Sequence, residues 1–158
     1  MTAVLVIIVL VIVAAGAGIV VVVARLQAAN RRRAQLIPGV DADVPDSWAG
    51  SHDPEARLHR RLRDALAALR SSPTLDYDGM LIDARVRLEA AATEFDGRLV
   101  ALSQLPSDAK TSMLADAEAA VGQVETVVAE LIANPSNALP ALDSAVGRLQ
   151  QPPPQLSQ

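Results

Sequence analysis

Two histidines and two carboxylates form the part of this sequence that comes closest to a metal-ligating or acid–base cluster. His52 and His59 flank Asp53 and Glu55. The two histidines are seven residues apart, on either side of a predicted helix start, whereas helical metal sites hold their ligands at a closer spacing of about four residues. We therefore predict an exposed pair of histidines and no metal site.

Other catalytic chemistries have no recognisable counterpart in the sequence. The chain contains no cysteine, so it has neither a thiol nucleophile nor a disulfide, and no glycine-rich phosphate loop follows a predicted strand. The acidic clusters have the spacing of solvated helix faces. We therefore predict a protein that is not an enzyme, with no catalytic residues and no cofactor.

Arginines on the helix predicted to begin at Pro54 form the most distinctive charge pattern. One interpretation is that Arg57, Arg60 and Arg63 face anionic lipid or a partner, since each basic residue near a membrane surface contributes on the order of 1 kcal/mol. The other is that this helix pairs with a later acidic helix. In that case Arg61, beside the apolar stripe, faces acidic residues that share a heptad position, Glu118 and Glu125.

A single tryptophan, Trp48, lies in the segment before this helix. Its ring either enters the headgroup layer, docks on the helices or remains in solvent, since tryptophan favours sites that are apolar at one end and wet at the other. Nucleic acid is not an expected partner. Residues 41–158 hold ten basic and eighteen acidic residues, a net charge of −8, with few aromatic side chains to stack on bases.

The elements that carry these residues follow a long apolar segment. The segment Ala3–Ala24 has twenty-two residues, none with a charged or amide side chain, and fifteen of them are Val, Ile or Leu. A helix of that length is roughly 33 Å long, which matches the hydrocarbon core of a bilayer. We predict an uncleaved transmembrane helix over residues 3–24, preceded by a short external N-terminus at residues 1–2. Ala14 and Gly18 form a small-xxx-small pair that would allow a homo-oligomer.

The orientation of this span follows from the basic residues that come after it: Arg25, Arg31, Arg32 and Arg33. Because Lys and Arg flanking a span are retained on the cytoplasmic side, we expect the C-terminal region to be cytoplasmic. Residues 25–33 form this basic juxtamembrane segment. Residues 34–53 are rich in Pro, Gly and Asp and are predicted to form a flexible linker.

Helical periodicity begins at Pro54 and continues to about residue 150. A first helix over residues 54 to about 71 has Asp53 as its N-cap and proline at its first position. A second begins either after Ser72 or after Asp78, and Ile82 and Val86 widen its apolar stripe. A third begins after Pro106, where the phase of the stripe slips, and is closed by residues 134–137. A short fourth helix contains Leu139 to Leu149, with Pro140 in its first turn.

These elements predict an all-α fold: one N-terminal transmembrane helix, a flexible linker, and an antiparallel bundle over residues 54–150 of three long helices and one short C-terminal helix. Residues 151–158, with three consecutive prolines, are expected to be a disordered tail. From this architecture we expect a protein-interaction or scaffolding module on the cytoplasmic face of the membrane. Its expected partners are the bilayer, a second copy and an unidentified protein.

Two alternatives remain open from the sequence. The bundle would face the cell envelope if the orientation rule fails here or if the anchor is cleaved. A membrane-tethered enzyme would have to assemble its site from scattered carboxylates, and a deep pocket lined by paired Asp or Glu would distinguish it.

Overall fold

Four amphipathic helices form where the periodicity predicts them. The computed structural model describes residues 36–37, 44–73 and 78–151. Their elements are a short 3-10 helix at Asp46–Trp48, α1 at Pro54–Ser71, α2 at Gly79–Ser103, α3 at Ser107–Ala133 and α4 at Pro135–Gln150. The predicted all-α bundle is therefore confirmed for this part of the chain.

Local capping chemistry explains where α1 and α2 begin. Asp53 occupies the N-cap of α1, but its carboxylate accepts the Ser51 hydroxyl at 2.6 Å and caps no helix N–H. The carboxylate of Asp78 accepts the N–H of Met80 at 2.8 Å, so it satisfies one of the donors that a helix start leaves free. Of the two predicted starts for α2, the structure has the later one.

The connection between α3 and α4 is shorter than predicted. Only Asn134 separates the two helices, because α4 already begins at Pro135. The prediction that Pro140 lies in the first turn is therefore wrong: it lies in the second turn, inside the helix. Proline fits position 135, at the start of α4, because a backbone N–H there would have no partner within the helix.

The helices are arranged as a ring in the order α1, α3, α4, α2. Each contacts its two neighbours in this ring, and α2 and α3 lie on the diagonal with few contacts. Helix α1 runs parallel to α3, since Glu55 and Lys110 join their first turns. Helix α2 runs antiparallel to α1, as the pairs His59–Asp96 and Arg70–Glu89 show. It runs parallel to α4, as the pair Arg87–Asp143 and the hydrogen bond from Arg98 to Gln151 together show. Consecutive helices are antiparallel as predicted, but two of the four neighbouring pairs in the ring are parallel.

The core is aliphatic and rich in alanine. The apolar stripes of α1 and α3 that the periodicity predicts are buried, except for the partly buried Leu114, and Leu62, Leu88 and Val124 have no exposed surface. These stripes are Leu58, Leu62, Ala65 and Leu69 on α1, and Leu114, Ala117, Val121, Val124, Val128 and Leu131 on α3. Two stripe assignments differ. Val86, predicted to widen the stripe of α2, is 55% exposed. The predicted stripe of α4 is Leu139, Leu142, Val146 and Leu149; Leu142 and Leu149 are fully buried, whereas Leu139 and Val146 are only partly buried and Ala138 and Ala145 are buried instead. Small side chains let the helices approach closely but bury little area per residue, so each contributes little hydrophobic stabilisation.

Several predictions fall on residues outside the described ranges. These are the span at residues 3–24 with Ala14 and Gly18, the basic segment with Arg25, Arg31, Arg32 and Arg33, and the tail at residues 152–158. Among the helices that the structure describes, none has the length and apolarity needed to cross a bilayer.

Candidate functional site

The arginines of α1 bind different acceptors along the helix. Arg61 holds Glu125 of α3 in a bidentate ion pair, with Nε to Oε1 at 2.9 Å and Nη2 to Oε2 at 2.6 Å. Its Nη1 reaches Glu118 at 3.5 Å. The Arg61 hydrogen bonds lower the pKa of the Glu125 carboxyl and raise that of the guanidinium. Of the two interpretations of the arginines, this contact belongs to pairing between helices.

The three arginines proposed to face lipid or a partner have different surroundings. Arg60 is part-buried and donates to the backbone carbonyls of Trp48 at 3.3 Å and Ser51 at 2.8 Å. Arg63 pairs with the adjacent Asp64 at 2.8 Å. Only Arg57 is exposed with no side-chain partner among the residues that the structure describes. Of these three arginines, Arg57 is therefore the one whose side chain is exposed to solvent.

A buried polar cluster joins the segment before α1 to the bundle. His59 Nδ1 lies 2.7 Å from Asp96 Oδ1 of α2, and both residues are 2% exposed. The ring of Trp48 packs against that of His59 with centroids 5.6 Å apart. The prediction of an exposed histidine pair is wrong for His59, although His52 is exposed.

A buried ion pair links the first turns of α1 and α3. Lys110 Nζ lies 2.7 Å from Glu55 Oε1, and the Glu55 side chain is 1% exposed. Neither this pair nor the burial of Asp96 was predicted from the residue pattern. One signal was available: Glu55, His59 and Asp96 each precede a core leucine by three residues, which puts them on the buried side of their helices.

Metal binding finds no support in residues 44–73 and 78–151. No group of three or more His, Cys, Asp or Glu side chains is placed there to hold an ion. His59, the one histidine of the sequence cluster that turns inward, has Asp96 as its partner.

A groove opens between α2, α3 and α4 because α4 is short. Helix α4 has 16 residues and α3 has 27, about 24 Å against about 40 Å of helix. Helix α4 therefore ends before it covers the gap between α2 and α3. The groove has a volume of about 380 Å³. Its apolar walls include Phe95, Leu99, Leu102, Leu105, Met113 and Ala117.

Arg98 is the polar feature of this groove. Its guanidinium lies over the ring of Phe95, 5.4 Å from the centroid, and its Nη1 donates to the backbone carbonyl of Gln151. Its Nε and Nη2 are buried and have no hydrogen-bond acceptor within the described ranges. Arg148 and Asp116, both exposed, complete the polar lining. The groove can thus hold an apolar body together with a group that accepts hydrogen bonds.

Comparisons with protein-family models, with curated proteins and with solved structures find no match to this chain. The surface of α1 and the groove are therefore the features from which a function can be inferred.

Proposed function

We propose that this chain is a single-pass, membrane-anchored helical bundle that acts as a binding or scaffolding module on the cytoplasmic face, and not as an enzyme. The observation that supports binding most directly is the groove between α2, α3 and α4. Its volume of about 380 Å³ lies within the range of small-molecule binding sites, which are concave and mostly apolar with a few placed polar groups.

The anchoring part of this proposal is supported by the amino-acid sequence. Residues 3–24 have the length and composition of a membrane span, and four arginines follow within ten residues. The bundle begins about thirty residues after the span. A binding module tethered in this way would search only a thin layer next to the membrane, which raises its effective concentration toward ligands there.

Site-specific photo-cross-linking in native membranes tests the binding function. A photoreactive amino acid at Leu105, 38% exposed at the groove, should capture a ligand or partner. The same amino acid at Val86, 55% exposed and outside the groove lining, is the matched control. We expect adducts from position 105 that position 86 does not give. Identical adduct patterns from both positions, or none from 105, would contradict a binding function for the groove.

A further inference from the structure

We propose that the groove binds a long-chain monocarboxylate such as a free fatty acid, with its carboxylate on the Nε–Nη2 edge of Arg98 and its aliphatic chain along the walls. This inference rests on the proposed binding function and names its ligand class.

Two nitrogens of Arg98, Nε and Nη2, have no acceptor among the residues that the structure describes, and they favour a carboxylate ligand. Nε and Nη2 lie on the same edge of the guanidinium and point their N–H bonds in parallel. This fork matches the two oxygens of a carboxylate. Because both atoms are buried, bulk water does not satisfy them, and an unsatisfied charged donor is unfavourable. A carboxylate that enters the groove would remove this cost.

The same edge of another arginine already binds a carboxylate in this protein. Arg61 uses its Nε and Nη2 to hold both oxygens of Glu125. Arg70 differs, because its Nε is taken by Glu89 and only its Nη2 has no acceptor. Among the residues that the structure describes, Arg98 is thus the arginine whose whole Nε–Nη2 fork is both buried and without an acceptor.

The apolar walls favour an aliphatic body over a peptide. The groove is built mainly from helices, whose backbone N–H and C=O groups are bonded within each helix, so the main chain of an extended peptide would find few partners. A ligand with one polar head and a saturated tail makes no such demand. The floor between Leu99, Leu102 and Met113 can exclude water from that tail.

The charge at the mouth of the groove fits an anionic head. Arg98 and Arg148 contribute two positive charges against one negative charge from Asp116. Because Nε and Nη2 of Arg98 are buried, carboxylate binding requires the guanidinium to rotate so that this edge faces the groove. Its contacts with Phe95 and Gln151 limit how far that rotation goes.

The test uses the full chain in phosphatidylcholine nanodiscs and a dodecanoic acid that carries a photoreactive diazirine on its chain. We expect labelling of peptides from the groove walls, competed by dodecanoate but not by dodecanol, which has the same chain without the carboxylate. Arg98→Gln should reduce labelling at least about tenfold, because charged hydrogen bonds of this kind are lost. Arg87→Gln, on the same helix but exposed and paired with Asp143, should label like the parent.

Arg98→Lys provides a second variant that keeps the charge but loses the fork. It should also weaken labelling, with an unchanged circular dichroism spectrum, and it decides the question if Arg98→Gln does not fold. Equal labelling of the Arg98 and Arg87 variants, or equal competition by dodecanol, would overturn the proposal.

Two further outcomes separate this ligand from other occupants of the groove. Competition by a synthetic peptide of residues 152–158, without competition by dodecanoate, would assign the groove to that segment of the chain. A protein adduct at position 105 that persists in Arg98→Gln, without fatty-acid labelling, would overturn the ligand class and leave the binding function intact.

Discussion

Charged side chains in this bundle differ in how far they are withdrawn from water, and this difference sets what each pair contributes. The pairs Glu55–Lys110 and His59–Asp96 are largely buried, whereas the Arg61 and Glu125 side chains are 37% and 36% exposed. Exposed pairs contribute little, but breaking a buried pair leaves a desolvated charge behind. The sequence predicted the Arg61 contact from heptad position. It could not predict the buried pairs, because the polar members resemble surface residues until their neighbours are known.

Lys110→Met should be strongly destabilising. It removes the partner of the Glu55 carboxylate, which is 1% exposed, and breaking a buried pair in this way costs about 3 to 5 kcal/mol. Arg87→Met is the control, since its pair with Asp143 is exposed on both sides and should contribute less than about 1 kcal/mol. Urea unfolding followed by circular dichroism measures both. Equal losses would show that Glu55 is satisfied without Lys110.

The Arg61–Glu125 pair should make stability depend on pH in a defined direction. Hydrogen bonding from Arg61 lowers the folded-state pKa of Glu125 below its ordinary value of 4.5. The contribution of this pair to folding stability is therefore fully present above pH 4.5, and it is lost as the pH falls through the lowered pKa of Glu125. At neutral pH, the free energy of unfolding of Glu125→Gln should be lower than that of the parent by less than about 1 kcal/mol. Its melting temperature should therefore be slightly lower. The difference should vanish in strong acid. A difference that persists there would contradict this assignment.

At the scale of elements, the periodicity predicted which residues form each helix but not which helices are neighbours. An apolar stripe identifies the buried face of a helix without specifying what covers it. The stripes of α1 and α3 and the start of α3 were therefore predicted well, while the diagonal placement of α2 and α3 was not. The groove was beyond prediction for the same reason, since it depends on how far α4 extends beside that diagonal.

The segment before α1 should be released from the bundle by Arg60→Gln. This change removes the hydrogen bonds to the carbonyls of Trp48 and Ser51, which hold the 3-10 helix against α1. Trp48 is the only tryptophan in the chain and is 6% exposed, so its fluorescence emission should shift to longer wavelength while the helical circular dichroism is unchanged. Arg57→Gln, at an exposed position, should have no effect. A shift in both variants would point to a general loosening of α1.

Val124→Asp should unfold or strongly destabilise the bundle. Val124 has no exposed surface, and a carboxylate there would be buried without a partner, at a cost of several kcal/mol that a thin aliphatic core cannot offset. Val86→Asp places the same side chain on a residue that is 55% exposed and should be close to neutral. Thermal melting compares the two. Similar melting temperatures would contradict the assignment of the α3 stripe to the core.

For the whole molecule, the central prediction concerns orientation at the membrane. A fluorescent protein that requires the cytoplasm should be active when fused after Gln158, and alkaline phosphatase fused at the same place should be inactive. The reason is that Lys and Arg next to a span favour the cytoplasmic side, and four arginines follow residues 3–24. Moving those arginines ahead of Val4 should reverse both results. Phosphatase activity from the unaltered chain would favour the envelope-facing alternative.

The diagonal placement of α2 and α3 also has a consequence for the order in which the protein folds. Helix α2 and the next helix in the chain share few contacts, so the α2–α3 hairpin offers little stability as an early folding unit. The face of α2 that points away from α1 packs against α4, and α4 is synthesised after both α2 and α3. Contacts that close only after a long stretch of chain has been made slow folding. Nascent chains that stop before α4 would expose the inner faces of α2 and α3, and chaperones bind apolar surface of this kind.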